Sequence, residues 1–240
     1  MHLPTGTKFE LGSLSRAGAM PELEPTVLVI DDDSELRASL GQLLRSVGLD
    51  AQLFGSVSDL LDTGLPNGPT CLVLDVRLPG RSGLDYQRDL ADADIRIPII
   101  FITGHGDVPM SVQAMKDGAI EFLTKPFRDQ DLIDAIHVGV AHDRSRLKDE
   151  NALVVLRARF ETLTARERQV MTQVVQGRLN KQIAWDIGIS EVTVKVHRSN
   201  LKRKMFAASI SELIRMGDKL KLLPESRATD TVLGHRNRDA

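Results

Sequence analysis

The sequence predicts an α/β domain, built on a doubly wound parallel sheet, followed by a smaller domain made only of helices. Two observations predict the first domain: short apolar runs alternate with segments of helical periodicity, and two of these runs end in aspartate. The second domain is predicted by helix-capping signals that follow one another with single glycines between them. A chain of 240 residues is long enough for two domains that each bury a core.

Five strand–helix pairs follow one another in the first domain. Each predicted strand is a short apolar run, and most predicted helices begin at a polar cap or a proline. The strands are predicted at 27–31, 50–54, 71–75, 98–103 and 121–124. The helices are predicted at 34–46, from Ser56, at 83–93, at 109–117 and from Asp129. Five such pairs fit a parallel sheet with helices on both faces.

The segment after the fifth strand contains no helix-breaking residue over a long stretch. Neither glycine nor proline occurs between Gly139 and Gly177. With the first domain placed at 25–141, residues 142–158 are therefore predicted to form a helical linker and not a flexible one.

The two ends of the chain differ from the rest in having no hydrophobic periodicity. Residues 1–24 and 224–240 are predicted to be disordered. Met20 directly precedes the first strand region, so a natural start at Met20 is an alternative to a start at Met1.

The all-helical domain is predicted at 159–223 and contains four helices. Their capping residues are Thr164, Asn180, Ser190 and Ser209. Gly188 separates the short second helix from the longer third one. A short helix, a glycine-containing turn and a second helix are typical of a helix-turn-helix, here at about 180–199.

The net charge of −2 conceals a difference between the two domains. Residues 22–140 contain 20 Asp and Glu against 9 Lys and Arg, whereas residues 160–223 contain 12 Lys and Arg against 6 Asp and Glu. The basic domain is therefore a candidate for binding nucleic acid, although a charged surface is more often simply solvated.

The sequence predicts a cytoplasmic protein with no membrane partner. No apolar run approaches the length of a membrane span, and the first residues lack the core of a signal peptide. Cys71 is the only cysteine and lies inside an apolar strand, so we expect a buried thiol in a reducing compartment.

Carboxylates are predicted to converge where the parallel strands end. Asp31 and Asp32 follow the first strand and Asp75 ends the third, while Thr103 and Lys125 end the fourth and fifth. Three close carboxylates repel one another unless a hard cation such as Mg²⁺ (or Mn²⁺) neutralises them. With the cation bound, Asp75 stays ionised and can attack phosphorus, and Lys125 and Thr103 can bind the phosphoryl oxygens.

Two enzyme classes with related sites are excluded. A dinucleotide-binding oxidoreductase needs a glycine-rich turn after its first strand, where this chain has Asp-Asp-Asp-Ser at 31–34. A haloacid-dehalogenase-type phosphatase needs a second aspartate two residues after the nucleophile, where this chain has Arg77.

Four short motifs lie at the predicted strand ends: the acidic pair at 31–32, Leu74-Asp75 with Pro79-Gly80 beyond it, Thr103-Gly104 and Lys125-Pro126. Together they resemble the receiver domain of two-component response regulators. The resemblance implies a flavodoxin-like (βα)5 fold, a phosphoryl group transferred from a sensor histidine kinase to Asp75, and no enzymatic activity beyond Mg²⁺-dependent autophosphorylation and autodephosphorylation.

The resemblance also assigns roles around the acceptor. The implied metal ligands are Asp31, Asp32, Asp75 and the backbone carbonyl of Arg77. The implied phosphoryl-binding and switch residues are Thr103, Phe122 and Lys125. The charge added to Asp75 would draw Thr103 toward it and turn Phe122 inward, which reshapes the face of the fourth helix, fifth strand and fifth helix.

In the basic domain, the helix from Glu191 has two different faces. Its apolar residues at 194, 201 and 205 follow helical spacing and are predicted to pack inward. Its other stripe carries Lys195, Ser199, Lys202 and Arg203. Such a helix fits the major groove of DNA, where lysine and serine can reach base edges.

The segments 163–167, 180–184 and 193–197 resemble the LuxR/NarL-type DNA-binding domain. The resemblance implies base contacts from Lys195, Val196 and Ser199. It implies phosphate contacts from Lys181, Thr193, His197, Lys202 and Arg203. Trp185 is predicted to pack inside the domain. The segment 103–110 resembles the FixJ branch, and His105 within it is interpreted as an ordinary loop residue.

Together the resemblances imply a transcriptional response regulator that binds promoter DNA, as a homodimer after phosphorylation and as an activator, with RNA polymerase as a further candidate partner. Two alternatives stay open. One is a phosphorylation-independent (orphan) regulator with the same fold. The other is a basic module that binds protein and not DNA.

Overall fold

The computed structural model describes residues 23–104, 106 and 108–222. The prediction of a disordered C-terminal tail, most of the predicted N-terminal extension, the alternative start at Met20 and the loop residue His105 lie outside the described residues. Within them the chain divides into two compact units, with the division between Arg144 and Ser145.

The first unit contains a five-stranded parallel sheet in the order β2-β1-β3-β4-β5. The strands are β1 (Thr26–Ile30), β2 (Asp50–Phe54), β3 (Thr70–Asp75), β4 (Ile99–Thr103) and β5 (Glu121–Thr124). β4 begins one residue later than predicted because Pro98 has no N–H to donate within the sheet. The Pro98 carbonyl does accept a hydrogen bond, from the Leu72 N–H. The predicted doubly wound sheet is confirmed.

Five helices accompany these strands. They are α1 (Ser34–Ser46), α2 (Val57–Thr63), α3 (Gly83–Asp92), α4 (Val108–Lys116) and α5 (Asp129–Glu161). Ser56 caps α2 as predicted, since its hydroxyl accepts a hydrogen bond from the Asp59 N–H. Asp33 caps α1, and its carboxylate accepts hydrogen bonds from two N–H groups of the first turn.

Alternate residues of the central strands pack into two hydrophobic cores, one on each face of the sheet. Val27 and Val29 of β1 belong to the core that α1 and α5 cover. Leu28 and Ile30 belong to the core that α2, α3 and α4 cover. Burial on both faces explains why the strand sequences are continuous apolar runs and not alternating ones.

The helix α5 is continuous from Asp129 to Glu161, so the segment predicted as a linker is helical. Asp143 fixes it in the first unit: the carboxylate is buried and accepts a 2.9 Å hydrogen bond from the Thr70 N–H at the start of β3. Cys71, the next residue of that strand, is buried as expected. Burial, and to a lesser extent the charge of Asp143, raises the pKa of the Cys71 thiol to about 12.

The second unit contains the C-terminal part of α5 and the helices α6 (Ala165–Val175), α7 (Asn180–Ile187), α8 (Glu191–Met205) and α9 (Ile210–Lys219). The predicted caps at Thr164, Ser190 and Ser209 each accept a hydrogen bond from an N–H in the first turn of their helix. These four helices and the end of α5 enclose one hydrophobic core.

The prediction that Asn180 caps α7 is wrong. The capping position is Leu179, whose N–H donates to Gln182 Oε1 at 2.9 Å. Asn180 is already helical, and its side-chain oxygen accepts a hydrogen bond from Arg198 of α8. The asparagine therefore joins the two helices of the helix-turn-helix and does not begin the first one.

In the portion of the chain that the structure describes, no helix combines the length and the apolar content that a membrane span requires.

Candidate functional sites

The predicted acidic cluster forms at the carboxyl edge of the sheet. One carboxylate oxygen from each of Asp31, Asp32 and Asp75 lies within 4.8 Å of the others. Asp31 and Asp75 are buried, while Asp32 is exposed at the mouth of the site. The neighbouring ends of β1 and β3 bring the aspartates together, because the two strands are parallel and directly paired.

Lys125 lies between the two buried carboxylates. Its Nζ is 2.7 Å from Asp31 Oδ2 and 2.9 Å from Asp75 Oδ2. Burial raises the pKa of Asp31, and the hydrogen bond from Lys125 offsets only part of that effect. Burial alone would lower the pKa of Lys125, but its hydrogen bonds to both aspartates raise it above the ordinary value. The lysine is therefore held charged beside the Asp75 carboxylate.

The backbone after β3 is arranged around Asp75. The Arg77 N–H donates to Asp75 Oδ1 at 3.0 Å, and Arg77 forms an isolated bridge with Ser82. Gly83 approaches so closely that a Cβ atom there would lie 2.4 Å from the Asp75 carbonyl oxygen. Sequence reasoning missed this role of Gly83, because the contact joins residues eight positions apart through a loop of unpredicted shape. The metal-ligand role of the Arg77 carbonyl stays a prediction.

The two predicted switch residues lie on adjacent strands. Thr103 ends β4 and is buried, and it pairs in register with Thr124 of β5. Phe122 of β5 is half-buried, and its ring centroid is 6.2 Å from that of Phe101. Gly106 contacts both switch residues, since a Cβ atom there would lie 2.7 Å from the Phe122 ring and 3.1 Å from the Thr103 methyl.

The helix α8 presents its predicted faces. Its predicted inward residues, Val194, Leu201 and Met205, are fully buried. On the opposite side the exposed side chains are Lys195, Val196, Ser199 and Arg203. The half-buried ones are Thr193, His197 and Lys202, while Lys181 is exposed on α7. The residues predicted to contact DNA are thus accessible, and the contacts themselves stay predictions. Val192, which sequence reasoning left out, lies on the same exposed side.

The prediction that Trp185 packs inside the domain is wrong. The side chain is 87% exposed on α7. Ile183 and Ala184 are buried and Ile187 is partly buried, and together they fill the core-facing side of this eight-residue helix. One turn before Trp185, Lys181 is exposed on the same side, so the tryptophan lies among solvated side chains.

The C-terminal end of α8 is fixed by two interactions from earlier helices. Lys204 Nζ is 2.7 Å from the buried carboxylate of Glu167, which also accepts hydrogen bonds from Thr164. Burial alone would raise the pKa of Glu167, but these bonds lower it below the ordinary value. Arg159 of α5 donates to the Met205 carbonyl, and its guanidinium stacks 4.6 Å from the Phe206 ring centroid.

Two segments of the sequence match known protein families. Residues 27–137 match the response regulator receiver domain, and residues 161–217 match the luxR family of bacterial regulatory proteins. Nodulation protein W of Bradyrhizobium diazoefficiens is 52% identical over 194 residues, which make up 81% of this chain and 86% of that protein. This chain belongs to the LuxR-type response regulators.

Further relatives of this response regulator include a FixJ protein, which represents the predicted branch. Transcriptional regulatory protein FixJ of Azorhizobium caulinodans is 44% identical over 212 residues, 88% of this chain and all of that protein. The solved structure of response regulator StyR is 46% identical and covers 82% of this chain and all of its own, with a TM-score of 0.72. The predicted family, FixJ branch and fold are confirmed.

The receiver family binds Mg²⁺ through acidic residues, and the donor set of this response regulator fits that ion. Its three carboxylates supply the hard oxygen ligands that Mg²⁺ prefers, and Asp32 is open to solvent so that waters can complete the octahedron. The receiver implies a histidine kinase as partner, and the luxR-type domain implies DNA binding. Both are consistent with transcriptional regulation.

Proposed function

We propose that this response regulator accepts a phosphoryl group on Asp75 from a sensor histidine kinase and then binds promoter DNA as a dimer. The observation that carries the proposal is the position of Lys125, charged and hydrogen-bonded to both Asp31 and Asp75. A half-buried lysine that bridges two carboxylates stabilises the additional negative charge that phosphorylation brings.

The proposed transfer is an in-line displacement at phosphorus. A carboxylate oxygen of Asp75 forms the new P–O bond as the P–N bond to the kinase histidine breaks, and the histidine leaves with the electron pair. Asp31, Asp32, Asp75 and the Arg77 carbonyl would hold Mg²⁺, which neutralises charge on the transferred group. Lys125 exchanges its hydrogen bond with Asp75 for one with a phosphoryl oxygen.

The signal is proposed to leave through the face of α4, β5 and α5. Thr103 would donate its hydroxyl to the phosphoryl group, and Phe122 would turn into the space behind it. A groove beside Phe122 is lined by Val112 and Met115 of α4, each of which is 45% exposed. An apolar surface next to the switch suits a dimer contact that forms after phosphorylation.

Paired DNA-binding domains would then read two half-sites about one helical turn apart. Lys195, Val196 and Ser199 are proposed to face bases, and the phosphate contacts are assigned to Lys181, Thr193, His197, Lys202 and Arg203. An activator that recruits RNA polymerase is favoured over a repressor by analogy with the FixJ branch alone.

The acceptor assignment is tested by incubating the full chain with radiolabelled acetyl phosphate and Mg²⁺. Asp75→Asn is expected to abolish hydroxylamine-sensitive labelling, because the amide cannot form the acyl phosphate. Asp62→Asn, which changes an exposed carboxylate of α2, is the matched control and is expected to label normally. If wild type is not labelled while it still binds its promoter, the phosphorylation-independent alternative is favoured.

A further inference from the structure

The exposed side of α8 contains an apolar residue that has no assigned role. Val192 is 70% exposed and is the second residue of the helix. Val196 follows it by four residues and is 54% exposed. Residues four apart on a helix are neighbours, so the two valines form a short apolar strip in the otherwise polar stripe.

Single exposed valines are common, so exposure alone decides nothing. The position of Val192 is more informative. Lys195, Val196 and Ser199 follow it at three, four and seven residues, which places all four side chains on one face of α8. The buried Val194 lies on the opposite face and fixes the rotation of the helix against the core.

In a helix-turn-helix the recognition helix contacts base edges mainly through its N-terminal residues. Val192 precedes the first assigned base-facing residue, Lys195, by one turn, and Ser190 caps the helix just before it. A helix whose residues at 195, 196 and 199 face bases therefore also brings residue 192 into the groove.

We propose that Val192 is a further specificity residue that packs against the C5 methyl group of a thymine in the major groove. The methyl of thymine is the one apolar group that unmodified bases display there. The isopropyl side chain of valine has no hydrogen-bond donor or acceptor. It therefore favours thymine, because beside any other base it would leave a polar group of the base edge without a hydrogen-bond partner. The inference rests on the proposed DNA binding and deepens it.

The test is a cycle that combines a protein change with a DNA change. The full chain, treated with beryllofluoride and Mg²⁺, is used to select its preferred duplex from a random library. Each thymine of the selected site is then replaced by uracil, which lacks only the methyl group. Affinities of wild type and Val192→Ala are measured for every duplex by fluorescence anisotropy.

One thymine per half-site is expected to lose about fourfold in affinity for wild type when it becomes uracil, the equivalent of one buried methyl. Val192→Ala is expected to bind the thymine and uracil versions of that position equally. Val154→Ala, a change at a 62% exposed valine of α5, is the matched control and is expected to keep the wild-type preference. Val196→Ala distinguishes the contact of Val196 from that of Val192, because the affinity that this variant loses is expected to come from a different base pair.

The outcomes distinguish the two proposals. A wild type that selects a sequence, with a methyl preference that Val192→Ala leaves unchanged, overturns the role of Val192 and leaves DNA binding intact. A selected site in which no thymine methyl matters also overturns it. A wild type that selects no sequence overturns both. Equal melting temperatures of wild type and Val192→Ala show that the variant is folded.

Discussion

At the scale of the residue, Lys125 supplies the positive charge that balances the carboxylates of the acidic site. The carboxylates of Asp31 and Asp75 lie on either side of its ammonium group. Both are buried, so solvent screens their charges only weakly. Mg²⁺ in the same site would relieve the same repulsion. The lysine and the cation therefore stabilise the folded receiver in partly interchangeable ways.

We predict that Lys125→Met lowers the free energy of unfolding by about 3 kcal/mol in EDTA, because it leaves buried carboxylates without a counter-charge. In Mg²⁺ the loss is expected to be clearly smaller. Urea unfolding under both conditions measures it, with Lys148→Met, a change at an exposed lysine of α5, as control. An equal loss with and without Mg²⁺ contradicts the interpretation.

The residue scale also shows what the sequence could predict. Asp31, Asp75 and Lys125 were predicted together because each lies at the end of a strand or directly after it, and parallel strands end at one edge. Trp185 was placed wrongly, since hydrophobicity alone does not tell which apolar residues of an eight-residue helix face the core. The contact between Glu167 and Lys204 could not be predicted, because helix packing and not spacing joins residues 37 positions apart.

At the scale of the element, the contact between Glu167 and Lys204 holds the helix α8 in place. Glu167 lies in the first turn of α6 and Lys204 in the last turn of α8, so their ion pair fixes the C-terminal end of α8 against a neighbouring helix. The middle of α8 is fixed to α7 through the hydrogen bond between Arg198 and Asn180. Attachment at its middle and at its C-terminal end suits a helix that must present a fixed set of side chains to a groove.

The lowered pKa of Glu167 makes this anchoring dependent on pH. A carboxyl group with a lowered folded pKa contributes stability above its unfolded value, about 4.5, and loses it as the pH falls through the folded value. We predict that Glu167→Gln costs about 1 kcal/mol at pH 7 and that the difference from wild type shrinks below pH 4.5. Denaturant unfolding of both proteins at several pH values, followed through the transition of the second unit, measures this difference in the free energy of unfolding.

Glu161→Gln, a change at an exposed carboxylate at the end of α5, is the matched control and should follow wild type at every pH. A difference between wild type and Glu167→Gln that does not vary with pH would show that Glu167 acts through packing and not through its charge.

The stripe of α8 predicts two kinds of DNA contact. Lys195 is exposed at the centre of the stripe and is proposed to reach bases, so Lys195→Ala should reduce the preference between sequences. Lys202 is half-buried at its side and is proposed to hold a phosphate. Lys202→Ala should weaken all duplexes alike and reduce the salt slope by about one. Salt titrations with specific and unrelated duplexes measure both, and identical behaviour of the two variants would contradict the assignment.

At the scale of the whole molecule, two units of opposite charge are joined by one continuous helix, α5. Sequence predicted the sheet and the helical character of the connector well, because strand ends, caps and the absence of glycine are local signals. The buried contact between Asp143 and Thr70 was not predicted, since it joins residues 73 positions apart. It fixes α5 on the first unit just before the helix enters the second.

The central claim is that charge added at Asp75 changes how the whole chain associates and binds DNA. Sedimentation velocity of the full chain with its selected duplex, with and without beryllofluoride and Mg²⁺, tests it most directly. We predict a shift from monomer to dimer and a gain in DNA affinity of about tenfold or more, equivalent to at least 1.4 kcal/mol of coupling. A chain whose oligomeric state and DNA affinity are both unchanged by beryllofluoride and Mg²⁺ would contradict the claim.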